Sequence, residues 1–135
     1  MKSKYDRIIT FGTFDLFHIG HLRIIERAKK LCDKLIVGIS TDSLSYNKKS
    51  IYPVYNENDR LSIVSALRDV DGTFFEESLE LKKWYILEHK ADALVMGDDW
   101  KGRFDELSEV CEVIYLPRTP NISSTEIKIT VTERA

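Results

Sequence analysis

The sequence predicts an α/β fold, a single Rossmann-like doubly wound sheet of about five parallel strands flanked by helices. Short apolar runs rich in β-branched residues alternate along the chain with segments of helical period. The run at residues 34–40 (KLIVGIS) is apolar through its middle, which is typical of a strand covered by helices on both faces. Because parallel strands need long crossover connections, the two observations support the same fold.

Five short apolar runs are the predicted strands. They comprise residues 7–11, 34–40, 72–76, 93–96 and 113–116. Polar residues, glycine or proline bound each run, as expected for short buried strands. We expect ligands to bind at the carboxyl ends of these strands, near the point where the strand order reverses.

Helices are predicted between the strands. From Ile19, apolar residues recur at Leu22, Ile25, Ala28 and Leu31, which forms one apolar stripe. Further helical segments are predicted at residues 58–70, 79–90 and 103–111, with a polar loop at residues 41–58. Residues 123–126 (SSTE) have capping-box spacing and should start a last helix. Because residues 127–132 are mostly β-branched, we expect residues 127–135 to fray.

Composition limits the class of protein. The 135 residues are 43% hydrophobic and 31% charged, with a net charge of −2 and no repeat or linker, so we expect one domain over residues 1–135. The balanced charge argues against a nucleic-acid partner. No apolar run has the length of a membrane span and no signal peptide follows Met1, so we expect a cytoplasmic protein without a membrane partner. Cys32 and Cys111 are predicted to be reduced thiols.

The first predicted strand runs directly into GTFDLFHIGH, residues 12–21. His18 and His21 are three residues apart at the start of a helix, so their rings should lie on one face. Gly12 allows a close turn past a ligand, and Gly20 should leave the histidine face open. The helix N-terminus attracts anions, and two imidazoles there suit a triphosphate that is attacked at its α-phosphorus.

Two other interpretations of the histidine pair remain. The pair can be incidental, or it can form part of a metal site. Only His89, in a distant helical segment, is left as a third histidine ligand. We therefore predict no metal site built from protein side chains.

Four segments resemble the nucleotidyltransferase superfamily with the HxGH motif. They are GTFDLFHIGHLRIIERAK (residues 12–29), ISTD (39–42), VMGDDW (95–100) and YLPRT…ISST (115–125). Together they resemble the glycerol-3-phosphate cytidylyltransferase-like family over nearly the whole chain. Class I aminoacyl-tRNA synthetases share the HxGH motif, but they also need a KMSKS-type loop and a far longer chain.

The resemblance implies an enzyme that transfers CMP from CTP to a small phosphorylated acceptor, with release of pyrophosphate, for wall or capsule precursors. The acceptor would be glycerol 3-phosphate or a related phosphomonoester, such as a phosphorylated polyol, amino alcohol or amino-acid derivative (phosphoglutamine, for example). A homodimer is also implied, and we expect Mg²⁺ to be held mainly by the triphosphate. An adenylyltransferase that uses ATP and a non-catalytic nucleotide-binding module remain as alternatives.

The resemblance also implies residue roles. His18, His21 and Arg118 would be catalytic. The nucleotide-binding set would be Gly12, Thr13, Phe14, Asp15, Gly20, Asp98, Thr119, Ile122, Ser123, Ser124 and Thr125. The phosphate-binding and acceptor-binding set would be Lys48, Lys49, Arg60, Arg68 and Leu79.

Several of these residues also have a structural interpretation. Residues 123–126 can simply cap a helix, Asp98 can stabilise a turn, and the two lysines can be solvated surface. Arg60 and Arg68 can equally form surface ion pairs, for instance with Asp71. Trp84 and Tyr85 can serve a dimer interface or pack in the core.

The acceptor stays open from the sequence. Leu79 stands where the family's glycerol-phosphate members place a tryptophan, and Asn121 stands where they have a glycine.

Overall fold

The computed structural model describes residues 3–135 as one five-stranded sheet flanked by helices. The strands are β1 (Tyr5–Gly12), β2 (Cys32–Ser40), β3 (Gly72–Glu76), β4 (Ala93–Gly97) and β5 (Glu112–Leu116). The helices are α1 (Ile19–Lys29), α2 (Asp42–Lys49), α3 (Glu57–Ser65), α4 (Lys82–Glu88) and α5 (Ser124–Arg134). All strand pairs are parallel, in the order β3-β2-β1-β4-β5. The predicted fold class is confirmed.

Alternate residues of each strand pack into two cores, one on each face of the sheet. The first core contains Ile8, Val37 and Val95 together with Ile25 of α1 and Val64 of α3. The second contains Ile9, Phe11, Leu94 and Met96 together with Tyr85 and Ile86 of α4. Burial on both faces explains the continuous apolar run of β2.

Strands β1 and β4 separate at their carboxyl ends. Their pairing stops at Thr10 and Val95, whereas β1 continues beside β2 to Gly12 and β4 continues beside β5 to Gly97. The Thr10 hydroxyl donates to the Val95 carbonyl oxygen at 2.6 Å and closes the bottom of the gap. Because the strand order reverses between β1 and β4, this gap is the crevice where such sheets bind ligands.

The helical segments differ from their predicted bounds. Residues 42–49, predicted as loop, form α2, whose N-terminus is capped by the Thr41 hydroxyl accepting from the Leu44 N–H at 3.2 Å. Helix α3 ends at Ser65, before the predicted residue 70. The segment predicted at residues 79–90 is a 3₁₀ turn, Leu79–Leu81, followed by α4, and the segment at 103–111 is a 3₁₀ helix, Asp105–Glu109.

Helix α5 begins as its capping signal predicts but continues further. The Ser123 hydroxyl accepts a hydrogen bond from the Glu126 N–H at 3.1 Å. The β-branched run at residues 127–132, expected to continue a helix poorly, is helical, since the helix runs to Arg134. The Thr132 hydroxyl donates to the Lys128 carbonyl oxygen at 2.9 Å, so this β-branched side chain bonds within the helix.

Neither cysteine forms a disulfide within the described residues. Cys32 and Cys111 are free thiols, and Cys32 is buried. Within residues 3–135, every helix is too short or too polar to cross a membrane. Trp84 is 55% exposed, whereas Tyr85 lies in the core at 6% exposure, so of these two rings only Trp84 offers surface area.

Candidate active site

His18 and His21 stack at the start of α1, with ring centroids 3.7 Å apart. His18 is the N-cap of α1, and its Nδ1 accepts a hydrogen bond from the Gly20 N–H at 3.0 Å. The Nδ1 of His21 accepts from the His18 backbone N–H at 3.2 Å. Because each Nδ1 is an acceptor, each neutral ring carries its proton on Nε2. Both histidines therefore have an Nε2–H donor that the helix cap does not use.

Both imidazoles are held in the neutral form. Burial, reinforced by the charge of Arg118, lowers the pKa of His18 below its ordinary value. Burial and the neighbouring His18 lower the pKa of His21 to about 3, against the opposite effect of Asp15. At neutral pH the pair therefore acts through N–H donors rather than through positive charge.

Two glycines allow the close packing around the histidines. A Cβ on Gly20 would lie 2.8 Å from the Cε1 atom of His18, because the ring folds back over that glycine. A Cβ on Gly12 would lie 2.7 Å from the Cε2 atom of Phe14. Gly20 was expected to leave the histidine face open, and the structure shows that it makes room for the His18 ring itself.

A cavity of about 420 Å³ lies in the crevice between β1 and β4. Its walls come from the end of β1, the start of α1 and the connection from β5 to α5. The Ser124 hydroxyl donates to the Asp15 carbonyl oxygen at 2.6 Å and holds α5 against the β1–α1 loop. The structure therefore brings together residues more than a hundred positions apart. The predicted residues in this cavity are Gly12, Thr13, Phe14, His18, Gly20, His21, Lys49, Arg118, Thr119, Ile122, Ser123, Ser124 and Thr125.

A second cavity, of about 510 Å³, shares a wall with the first. The shared wall includes Thr13, His21 and Thr125, so the two cavities form one cleft. Beyond it the second cavity extends to the carboxyl ends of β2 and β3, where the predicted residues Lys48 and Leu79 lie.

Lysine side chains give the second cavity its positive charge. The Lys48 ammonium donates to the Ser40 hydroxyl at 3.0 Å, and burial lowers the pKa of Lys48 to about 8. Lys82 is ion-paired with the buried Glu76, and its ammonium lies 4.3 Å from the centroid of the Phe11 ring. Burial lowers the pKa of Lys82, while the Glu76 carboxylate opposes that shift. The lining of the second cavity thus includes four lysines, Lys48, Lys49, Lys82 and Lys128, and three carboxylates, Asp15, Glu76 and Asp99.

Arg60 was predicted to bind the acceptor phosphate, but it lines neither cavity. Its side chain is fully buried, and its guanidinium donates to the carbonyl oxygens of Tyr55, Thr13 and Ser40 at 3.0, 2.8 and 2.8 Å. A fourth bond, of 2.6 Å, joins it to the Asp42 carboxylate. Since these bonds use most of its donors, Arg60 holds the ends of β1 and β2 together and is not available to an acceptor phosphate.

Asp15, predicted to bind the nucleotide, lines the second cavity but not the first. Its buried carboxylate accepts from the backbone N–H groups of Val54 and Tyr55 at 2.8 and 2.9 Å, so it also anchors a loop. Two further predictions need correction. Arg68 is exposed, lies between α3 and β3 at the amino-end edge of the sheet, and lines neither cavity. The partners of Asp71 are Lys29 and the Leu35 N–H instead of Arg68.

Of the two aspartates after β4, Asp98 was predicted to lie in the nucleotide site, but the structure places Asp99 there. Asp99, not Asp98, lines both cavities, because residues 98–100 form a 3₁₀ turn. Trp100 lines both cavities as well, although the sequence predicted no role for it. Its position directly after the aspartate pair was the available signal. Lys82 and Glu76 had no such signal, since their pairing depends on packing between α4 and β3.

The carboxylates do not form a metal cage. Among residues 3–135, no three His, Cys, Asp or Glu side chains are grouped closely enough to hold a metal ion. A metal ion in this cleft would need most of its ligands from a bound phosphate group.

The parallel sheet and the stacked HxGH histidines at its switch point define a nucleotide-binding α/β protein of the HxGH class. The sequence model of the cytidylyltransferase-like family matches residues 9–129. The chain belongs to the cytidylyltransferase-like family.

Two curated relatives cover most of the chain. A glycerol-3-phosphate cytidylyltransferase of Bacillus subtilis (strain 168) is 50% identical over 123 residues, which are 90% of this chain and 94% of the relative. A protein of the same description from Staphylococcus aureus (strain NCTC 8325 / PS 47) is 42% identical over 124 residues, 90% of this chain and 92% of the relative.

A solved structure has the same fold. It is described as the lipopolysaccharide core biosynthesis protein from Thermoplasma volcanium GSS1. It superposes with a TM-score of 0.74 at 26% identity, over 85% of this chain and 98% of that chain.

Proposed function

We propose that this chain transfers the cytidylyl group of CTP to glycerol 3-phosphate and releases pyrophosphate. The observation that carries the proposal is the neutral histidine pair, with two unused Nε2–H donors, in the first cavity, where His21 also borders the second. The family and the two relatives described above support the same reaction.

The reaction is an in-line displacement at the α-phosphorus of CTP. An oxygen of the acceptor phosphate forms the new P–O bond, and the bond from the α-phosphorus to the bridging oxygen breaks. Pyrophosphate leaves with the electron pair of that bond. The acceptor phosphate is already ionised near neutral pH, so no general base is required, and catalysis comes from positioning and charge stabilisation.

His18 and His21 would donate through Nε2–H to the triphosphate oxygens on which charge develops. Arg118, which borders the same cavity, would bind further phosphate oxygens. The start of α5, with Ser123, Ser124 and Thr125, offers hydroxyl and backbone N–H donors.

The second cavity would hold the acceptor. Lys48 lines this cavity and not the first, and its ammonium group would attract the negatively charged acceptor. Lys49 lines both cavities and can reach either substrate. Mg²⁺, if it takes part, would arrive on the triphosphate, because the described side chains do not form a cage for it.

Three related proposals concern the wider context. The product, a cytidine diphosphate derivative of glycerol, is an activated unit that suits wall or capsule polymer synthesis. We expect the reaction in the cytoplasm, where CTP is available. We also expect a homodimer, and the exposed side chains of Leu81, Trp84 and Leu87 are a candidate contact surface, which light scattering of Trp84→Ala would test.

Pyrophosphate release tests the proposal directly. The protein is incubated with each of the four nucleoside triphosphates and a panel of phosphomonoesters that includes glycerol 3-phosphate and phosphoethanolamine. We expect release only with CTP, and fastest with glycerol 3-phosphate. Release with ATP alone would favour an adenylyltransferase, and CTP binding without release would favour a non-catalytic module.

His18→Ala and His21→Ala are the controls for catalysis. Each should lower kcat by about 10²–10³, the effect of losing one preorganised donor, with a much smaller change in the Kd of CTP. Full turnover in both variants would contradict the role of the pair.

A further inference from the structure

Ser45 has a buried hydroxyl group without a partner. The residue is 3% exposed, and its Oγ is the one buried side-chain nitrogen or oxygen atom in residues 3–135 that makes no hydrogen bond. A helical serine can bond to the carbonyl oxygen four residues earlier, but here the Thr41 carbonyl accepts only the Ser45 backbone N–H. Buried hydroxyls are nearly always satisfied, so this exception needs an explanation.

The position of Ser45 suggests what satisfies the hydroxyl. Ser45 lies on α2, one turn before Lys48, and borders the second cavity but not the first. Two polar groups near it already have partners within the protein, since Lys82 binds Glu76 and Lys48 binds Ser40. Ser45 differs from them, because its buried hydroxyl makes no bond that a ligand would have to replace.

The orientation of the acceptor follows from the shape of the cleft. The reacting phosphate must lie at the wall that both cavities share, near His21 and Thr125, because it attacks a nucleotide in the first cavity. The part of the acceptor that reaches Ser45 is therefore the end without the phosphate.

We propose that Ser45 is a specificity-determining residue that hydrogen-bonds a hydroxyl group on the carbon skeleton of the acceptor. This inference rests on the proposed function and adds to it the residue that recognises a hydroxyl group of the acceptor. The buried serine provides both a donor and an acceptor, which matches a hydroxyl group. A site built in this way discriminates against an analogue that lacks the group, because the serine is then left unpaired.

Ser45→Ala tests the inference with three acceptors: glycerol 3-phosphate, 3-hydroxypropyl phosphate and 2-hydroxypropyl phosphate. Each analogue lacks one of the two hydroxyls. The wild type should prefer glycerol 3-phosphate over one analogue by about five- to tenfold in kcat/KM, the typical effect of one hydrogen bond. Ser45→Ala should abolish that preference while leaving the KM of CTP and the activity with that analogue unchanged. Ser43→Ala, an exposed serine on the same helix, should behave as wild type.

Thermal unfolding separates recognition from a structural role. Loss of an unpaired hydroxyl should leave the Tm of Ser45→Ala equal to that of the wild type or higher. A lowered Tm with equal loss for all three acceptors would show a structural role and overturn the inference. Unchanged discrimination in Ser45→Ala would also overturn it, while leaving the proposed function intact. A wild type that releases no pyrophosphate with glycerol 3-phosphate would reject both.

Discussion

His18 and His21 cap α1 with their Nδ1 atoms, at positions where helices usually carry a hydroxyl and a carboxylate. The cap fixes the tautomer and the orientation of both rings before any ligand binds. Preorganised donors of this kind contribute more to catalysis than donors that must reorient during the reaction. The same hydrogen bonds therefore stabilise the helix start and prepare the site.

Gly20→Ala tests whether activity depends on the position of the His18 ring, because it moves that ring while both histidines remain in the chain. The added methyl group would lie 2.8 Å from the His18 Cε1 atom, so the ring must move and lose its bond to the residue-20 N–H. We expect kcat to fall about 10²-fold while both histidines remain, and unfolding free energy to fall by about 1 kcal/mol from the lost cap. Steady-state kinetics and urea unfolding measure the two effects. Gly72→Ala, at the amino end of β3 and away from the cleft, is the control. Full activity in Gly20→Ala would contradict the requirement for the observed position of the His18 ring.

The depressed pKa of His21 predicts a pH dependence of stability. In the unfolded chain His21 titrates near 6.5, whereas in the folded protein its pKa is about 3. Between these pH values the unfolded chain binds more protons than the folded protein. The contribution of His21 to the free energy of unfolding is therefore complete above pH 6.5 and decreases as the pH drops below that value. His21→Gln should reduce this fall by up to about 1.4 kcal/mol per pH unit. Urea unfolding at a series of pH values tests this, and equal slopes in both proteins would reject it.

At the scale of elements, α2 lines the second cavity and α3 supports α2 through the bond from Arg60 to Asp42, although neither helix has a strong apolar stripe. Helix α2 buries only Leu44 and Ser45, so its sequence has no helical period to detect. Its signal was the Thr41 cap. Helix α3 is joined to the sheet by Arg60, whose bonds reach the ends of β1 and β2 and also Asp42 of α2.

Arg60→Ala should be strongly destabilising. It would leave three carbonyl oxygens without their donor and the Asp42 carboxylate without its ion pair. We expect a loss of about 3–5 kcal/mol in unfolding free energy, as for other broken buried pairs. Arg23→Ala removes an exposed arginine paired only with Glu26, and it should change stability by less than about 0.5 kcal/mol. If Arg60→Ala were as stable as wild type and raised only the KM of the acceptor, the phosphate role predicted from the sequence would stand instead.

At the scale of the whole molecule, the cleft joins the two halves of the sheet. One half supplies β1, α1 and α2, and the other supplies β4 and the connection from β5 to α5. A nucleotide in the crevice touches both halves and should therefore stabilise the complete fold rather than one element.

CTP should raise the stability of the protein by mass action. At about one hundred times its Kd, a ligand of the folded state adds about 2.7 kcal/mol. We expect this shift in thermal unfolding with CTP, a smaller shift with ATP at the same concentration, and loss of most of the shift in Arg118→Ala. Equal stabilisation by CTP and ATP would show that the cleft binds the triphosphate without discriminating between the bases.

Local sequence patterns determined the class of fold and the first half of the site. Every strand was predictable within two residues of its bounds. A strand that packs on both faces has a continuous apolar run, which can be identified in the sequence without knowing which strand lies beside it. His18, His21 and the start of α5 were predictable because helix caps depend on spacing over a few residues. Resemblance, rather than periodicity, assigned Arg118 to the same site.

Only the tertiary structure decided which polar side chains remain free for a ligand. Arg60 is used up by carbonyl oxygens as far as 47 residues away in the chain, and Lys82 by the buried Glu76. Of the two aspartates after β4, a single 3₁₀ turn brings Asp99 to the cleft. The physical reason is that the sequence around a charged side chain is the same whether the side chain binds a substrate or backbone groups that are distant in the chain. Long-range packing alone sets that choice.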